Sequence, residues 1–92
     1  MGKLLMILRY VFFVFSADIH EARRHVHITD GTGIKTRLCK FWIEPKIELE
    51  YNYGFKEKEL TQIKRYIVEN IMLINGQLDK FYKGQKIKII KK

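Results

Sequence analysis

Hydrophobic and polar positions divide the chain into strand-length runs followed by one long helical pattern. Residues 4–8 and 11–17 are apolar runs of strand length, and the join at Arg9-Tyr10 fits a hairpin. Asp18-Ile19-His20-Glu21-Ala22 reads as a loop. Strict alternation in Arg24–Thr29 puts Val26 and Ile28 on one face of a strand and His25, His27 and Thr29 on the other. Asp30-Gly31-Thr32-Gly33 is the strongest turn signal, because aspartate and glycine tolerate the positive φ of tight hairpins. The run 36–43 places Cys39, Phe41 and Ile43 on one face and Leu38, Lys40 and Trp42 on the other, and Pro45 breaks it. In 46–51, Ile47, Leu49 and Tyr51 point inward while Lys46, Glu48 and Glu50 point to water. One covered face and one wet face predict an antiparallel sheet.

From Glu57 the period changes. Leu60, Ile63, Ile67, Ile71, Ile74, Leu78 and Phe81 follow helical spacing and draw one apolar stripe. A glycine inside a helix costs about 1 kcal/mol against alanine, so Asn75-Gly76 is a candidate stop. The stripe resumes in register at Leu78 and Phe81, which favours a continuous helix ending at Gly84. The expected class is α+β: an antiparallel sheet of about five strands with one long C-terminal helix packed on one face. Residues 1–84 form a single domain and 85–92 a basic tail, where alternation in Lys86-Ile87-Lys88-Ile89 allows a short extra strand and a frayed, disordered end is favoured.

Composition narrows the class. Ninety-two residues support one small core, and 47% hydrophobic residues with a single proline exclude disorder and fibrous folds. The lone cysteine, Cys39, excludes an internal disulfide and a multi-thiolate zinc site, and its place on the inward face makes it a small buried hydrophobe. Lys3 and the following apolar residues imitate a signal peptide, but Arg9 interrupts the run and Phe15 stands two before Ala17, where a small residue is required. The stretch also falls short of the ~20 apolar residues of a membrane span. No membrane association is expected, and the cytoplasm is the default compartment.

The formal charge is +8, which points to an anionic partner. Its distribution is uneven: residues 1–55 are +2, residues 56–84 are +2, and residues 85–92, with four lysines and no acid, carry +4. A lysine-rich tail adds nonspecific, salt-sensitive attraction to any polyanion, or serves only as a solubilising end.

His25-Val26-His27 is the one local arrangement with chemical potential. On a strand both imidazoles share a face, with Cα atoms roughly 6–7 Å apart. Paired histidines could act as general acid and base on RNA without metal, with Arg23, Arg24, Lys40 or Lys35 stabilising the charge on phosphorus. As metal ligands they need a further donor, which His20, Asp18, Glu21 or Glu44 could supply. The bland reading, two histidines packed on a half-wet sheet face, stands beside both. The candidate catalytic set is His25, His27, Asp18, Lys40 and Glu44. The candidate nucleic-acid contacts are Arg23, Arg24, Trp42, Lys86 and Lys88. Trp42 serves either as a base-stacking platform or as an aromatic at the edge of the core. No metal or cofactor is assigned, and no phosphate-binding loop, dinucleotide fingerprint or nucleophile elbow is present.

Phe12-Phe13-Val14-Phe15-Ser16-Ala17-Asp18, His25-Val26-His27-Ile28, Lys40-Phe41-Trp42-Ile43-Glu44-Pro45, and Asn52-Tyr53-Gly54-Phe55 with Glu59-Leu60, Ile63, Val68 and Asn70 together resemble domain-of-unknown-function family 4160, over residues from about 10 to 82. The resemblance implies a compact α+β protein that is the toxin half of a type II toxin–antitoxin pair, with a second small protein as its partner. It implies no reaction. The matching polar positions are Ser16, Asp18, His25, His27, Lys40, Trp42, Glu44, Asn52 and Gly54. The chain departs from the family pattern at Arg23-Arg24, where prolines are usual, at Cys39 for alanine, at Lys56 for a serine cap, and at Leu78 for tryptophan. Asn52 and Gly54 also have a folding role, in a sharp strand-to-helix turn.

Two function classes follow. One is a toxin-type protein acting on RNA through the His25/His27 face, with a cognate antitoxin. The other is a non-enzymatic module that binds nucleic acid or protein with its sheet face or its tail.

Overall fold

The computed structural model describes residues 2–30 and 37–92. Its elements are β1 (Gly2–Ile7), β2 (Tyr10–Val14), a 3-10 turn (Ser16–His20), β3 (His25–Thr29), β4 (Leu38–Trp42), β5 (Glu48–Tyr53), α1 (Glu57–Glu69), α2 (Ile71–Tyr82) and β6 (Ile90–Lys91). The strands form one six-stranded sheet in the order β5-β4-β3-β2-β1-β6. The first five pair antiparallel with their neighbours in sequence. The chain then crosses the sheet through both helices, and β6 lands parallel to β1 at Leu5–Ile90 and Met6–Lys91. The sheet is therefore mixed, not wholly antiparallel. The expected turn at Asp30–Gly33 lies largely outside the described residues. No helix among the described residues is long and apolar enough to cross a membrane.

The long helix predicted from the stripe is two helices, and the break falls at Asn70 rather than at Gly76. The Asn70 side-chain amide donates to the Tyr66 carbonyl at 2.9 Å. Its backbone N–H is shared between the carbonyls of Tyr66 and Ile67, at 3.1 and 3.2 Å. An asparagine that competes for the backbone ladder ends a helix locally, while the retained bond to Tyr66 keeps the stripe nearly in register. Ile63, Ile67, Ile74 and Leu78 are accordingly all fully buried against Leu5, Phe12, Val14, Val26 and Ile28. Gly76 lies inside α2 with open space where a Cβ would stand. Gly84, at φ 72°, closes α2, with the Gln85 N–H reaching back to the Lys80 carbonyl at 2.9 Å.

Two irregularities decide which side chains face which way. In β1 the register shifts between Lys3 and Leu5, so Leu4 has no strand partner and the consecutive leucines Leu4 and Leu5 both enter the core. In β5 the shift between Lys40 and Phe41 makes Leu49 face Phe41 but Tyr51 face Lys40. Tyr51, expected on the helix side with Leu49, thus sits on the opposite face of the sheet, because an extra residue inverts the alternation. The entry to α1 needs no serine. Glu59 accepts the Lys56 N–H at 3.0 Å, and Asn52 bridges both the N–H (3.1 Å) and the carbonyl (2.8 Å) of Phe55.

Candidate functional site

Antiparallel pairing of β3 with β2, β4 and, through β4, β5 puts Phe13, His25, His27, Lys40, Trp42 and Tyr51 on the sheet face away from the helices. The segment read as a loop, Asp18–Ala22, begins instead with the last turn of a 3-10 helix, and that helix covers part of this face. His25 and His27 are consequently 0% and 4% exposed. They do not stand on a half-wet surface, because Phe13, Phe15 and the turn enclose them. The His27 ring stacks on Phe13 at 5.5 Å between centroids and meets the Phe15 edge at 4.6 Å.

Asp18 organises the centre. Its Oδ2 accepts the Phe15 backbone N–H at 2.6 Å, closing the turn. The same oxygen lies 3.2 Å from Nε2 of His25 and 3.2 Å from Nε2 of His27. The remaining ring nitrogens face outward. His25 Nδ1 lies 3.1 Å from the Arg23 carbonyl, which can only accept, so this nitrogen carries a proton. His27 Nδ1 lies 3.2 Å from the Tyr51 hydroxyl. Burial, partly offset by the Asp18 charge, lowers the His27 pKa from its ordinary 6.5, so this imidazole is neutral at pH 7. Glu21 borders the centre, with one oxygen 3.7 Å from His25 Nδ1 and the other 3.6 Å from the Lys40 ammonium.

Of the residues singled out in the sequence, His25, His27, Asp18 and Lys40 come together. Glu44 does not: its carboxylate accepts the Arg24 N–H at 2.9 Å and pins the start of β3. Arg24 turns toward α2, bonding Asn75 Oδ1 at 2.8 Å and pairing with Asp79. Arg23 lies over the Trp42 ring at 4.3 Å and binds the Glu44 carbonyl and Glu48. Lys40 stands 4.3 Å from the same ring, and the indole N–H donates to Glu50. Trp42 thus already has cationic partners where a stacked base would lie. Lys86 and Lys88 belong to the β6 side of the sheet, far from Trp42 in strand order. Sequence reasoning missed Tyr51 and Phe15 as walls of the centre. The bulge in β5 conceals Tyr51, and Phe15 continues the apolar run of β2 so closely that its pattern is that of a strand residue.

Fold and centre together define an α+β protein that holds two histidines and one carboxylate between a sheet face and a short turn. Residues 10–75 match the family described as Domain of unknown function (DUF4160), most of the chain, and the protein belongs to that family. The match contains the whole centre and stops before the last turns of α2 and β6. No curated protein and no solved structure matches the chain.

Proposed function

We propose that the protein is a cytoplasmic, toxin-type half of a two-protein pair with a small cognate antitoxin, and that it holds RNA as a binding module along its lysine-rich C-terminal margin. The supporting observation is a set of contacts that tie this margin to the body of the domain. Gln77 donates to the Lys88 carbonyl at 2.7 Å, the Lys92 N–H bonds the Met6 carbonyl at 2.8 Å, and Ile87 packs on the core. Lys80, Lys83, Lys86, Lys88, Lys91 and Lys92 follow one another there with no acidic residue between them. A groove between Lys3, Ser16, Phe81, Gln85 and Ile87 runs beside them. Lysines carried on a backbone held beside a groove bind a phosphate backbone at less entropic cost than those of a loose tail.

An acid–base centre at His25 and His27 is the second reading, favoured by Asp18 and Lys40 beside the rings. It requires the Ser16–His20 turn to lift, since a polymer must reach within hydrogen-bond distance of the imidazoles.

The test pairs two measurements on the full chain. Replacing Lys86, Lys88, Lys91 and Lys92 by glutamine should weaken single-stranded RNA binding and reduce the salt slope by up to about 2.8, from ~0.7 per phosphate contact. An unchanged slope rules out the margin as the contact. Growth arrest on expression that survives His25→Ala with His27→Ala supports the binding module; arrest lost in that folded variant supports the catalytic reading. Absence of arrest from the parent chain rejects the toxin role.

A further inference from the structure

Two imidazole nitrogens face one carboxylate oxygen in the buried centre, and neither has a hydrogen-bond partner. His25 Nδ1 donates its proton to the Arg23 carbonyl, and His27 Nδ1, 3.2 Å from the Tyr51 oxygen, can donate in the same way. Both Nε2 atoms then present lone pairs to Asp18 Oδ2, itself an acceptor. Neither Nε2 makes a hydrogen bond, although both are buried and both lie 3.2 Å from the carboxylate oxygen. A buried acceptor with no donor is costly, and two of them facing a carboxylate oxygen are repelled by it. A cation at their common centre removes the conflict.

We infer that Asp18, His25 and His27 bind one divalent first-row transition-metal ion, zinc or ferrous iron, through Oδ2 and the two Nε2 atoms. The spacing fits. Donors about 2.1 Å from a shared ion lie about 3.0 Å apart at an octahedral angle and about 3.4 Å apart at a tetrahedral one, and Asp18 stands 3.2 Å from each nitrogen. All three donor atoms lie within 4.8 Å of one another, so a small closing of the two imidazoles completes the set. The outward nitrogens supply the support that metal-bound histidines ordinarily have, a carbonyl for His25 and a phenol for His27, with Glu21 3.7 Å from His25 Nδ1. Two imidazoles with one carboxylate suit a borderline metal and not calcium or magnesium, which prefer all-oxygen cages. Lys40 opposes the cation, and its ion pair with Glu21 at 3.6 Å moderates that opposition. Three protein ligands leave at least one coordination position for water or substrate. This departs from the sequence reading, which assigned no metal, and it stands independently of RNA binding.

The experiment uses the untagged full-length chain, stripped with chelator and dialysed against Zn2+ or, as an optical probe, Co2+. One equivalent should bind, Co2+ should give visible ligand-field bands, and the melting temperature should rise with metal concentration. In 15N spectra the Nε2 signals of His25 and His27 should shift on adding Zn2+ while those of the third histidine, His20, stay in place. His27→Gln should lose at least tenfold in affinity. Because Asp18 also closes the turn, the intact protein's nitrogen shifts decide the matter if a variant fails to fold. Substoichiometric binding at pH 7.5, or a shift of His20 alone, overturns the assignment.

Discussion

Gln77 donates its side-chain amide to the Leu4 carbonyl at 2.9 Å, joining α2 to the one residue of β1 that the strand ladder skips. The same nitrogen reaches the Lys88 carbonyl at 2.7 Å, so one buried amide satisfies a bulge and fixes the C-terminal segment. Removing it strands two carbonyls, and an unsatisfied buried polar group costs about 1–3 kcal/mol. Gln77→Leu is expected to lower the urea-unfolding free energy by roughly 2–3 kcal/mol. It should also speed hydrogen exchange at the Lys92 amide, which donates to Met6 in the intact chain. Unaltered protection at Lys92 would show that Gln77 does not hold the segment.

Leu8 occupies the β1–β2 turn at φ 54° with its side chain 69% exposed. The left-handed region costs a branched residue roughly 1–2 kcal/mol, and asparagine tolerates it. Leu8→Asn should raise stability by ~1 kcal/mol, about 4–8 °C in melting temperature for a domain of this size. A melting temperature at or below the parent's would mean that the turn relaxes without strain.

Glu59 gives the protein an acid-sensitive clasp. The Lys56 N–H first, then Arg37 and Arg9, hold its carboxylate down to about 2. A depressed carboxylate contributes its full stability above the unfolded value near 4.3, and loses it as pH falls from there toward about 2. Denaturation curves collected from pH 7 to pH 2 should show this loss, and Glu59→Gln should flatten the slope below about pH 4.5. Parallel curves for parent and variant would remove Glu59 from the acid response.

Burial pushes the Cys39 thiol up to about 12, so almost none is thiolate at pH 8. Iodoacetamide is expected to leave the native protein unmodified over hours and to label it fully in denaturing urea, as mass spectrometry would record. Rapid native alkylation would mean that β4 opens far more readily than the full burial of Cys39 implies.

Much of the fold was legible because burial obeys period. Val26, Ile28, Cys39, Phe41 and the stripe from Ile63 to Leu78 lie inward as their spacing required. The break at Asn70 was hidden, since one asparagine inside a seven-member apolar stripe weighs less than the stripe. The return of residues 90–91 as a parallel edge strand was equally hidden, because a two-residue strand carries almost no pattern. Tyr51 escapes a reading by alternation because a bulge inverts the period and leaves no mark in composition.

Period, spacing and count are enough to establish one small α+β core, two histidines on a shared strand face, and a C-terminal octet that carries half of the net charge. Long-range packing is what closes the histidine face. Asp18 is seven residues from His25, on a different element, and only the folding of the Ser16–His20 turn onto β3 puts one carboxylate oxygen 3.2 Å from both rings. Packing also anchors the lysine-rich end, because the anchor is Gln77, eleven residues before Lys88. Local pattern fixes which side chains share a face; which distant group covers that face depends on how the whole chain folds back on itself.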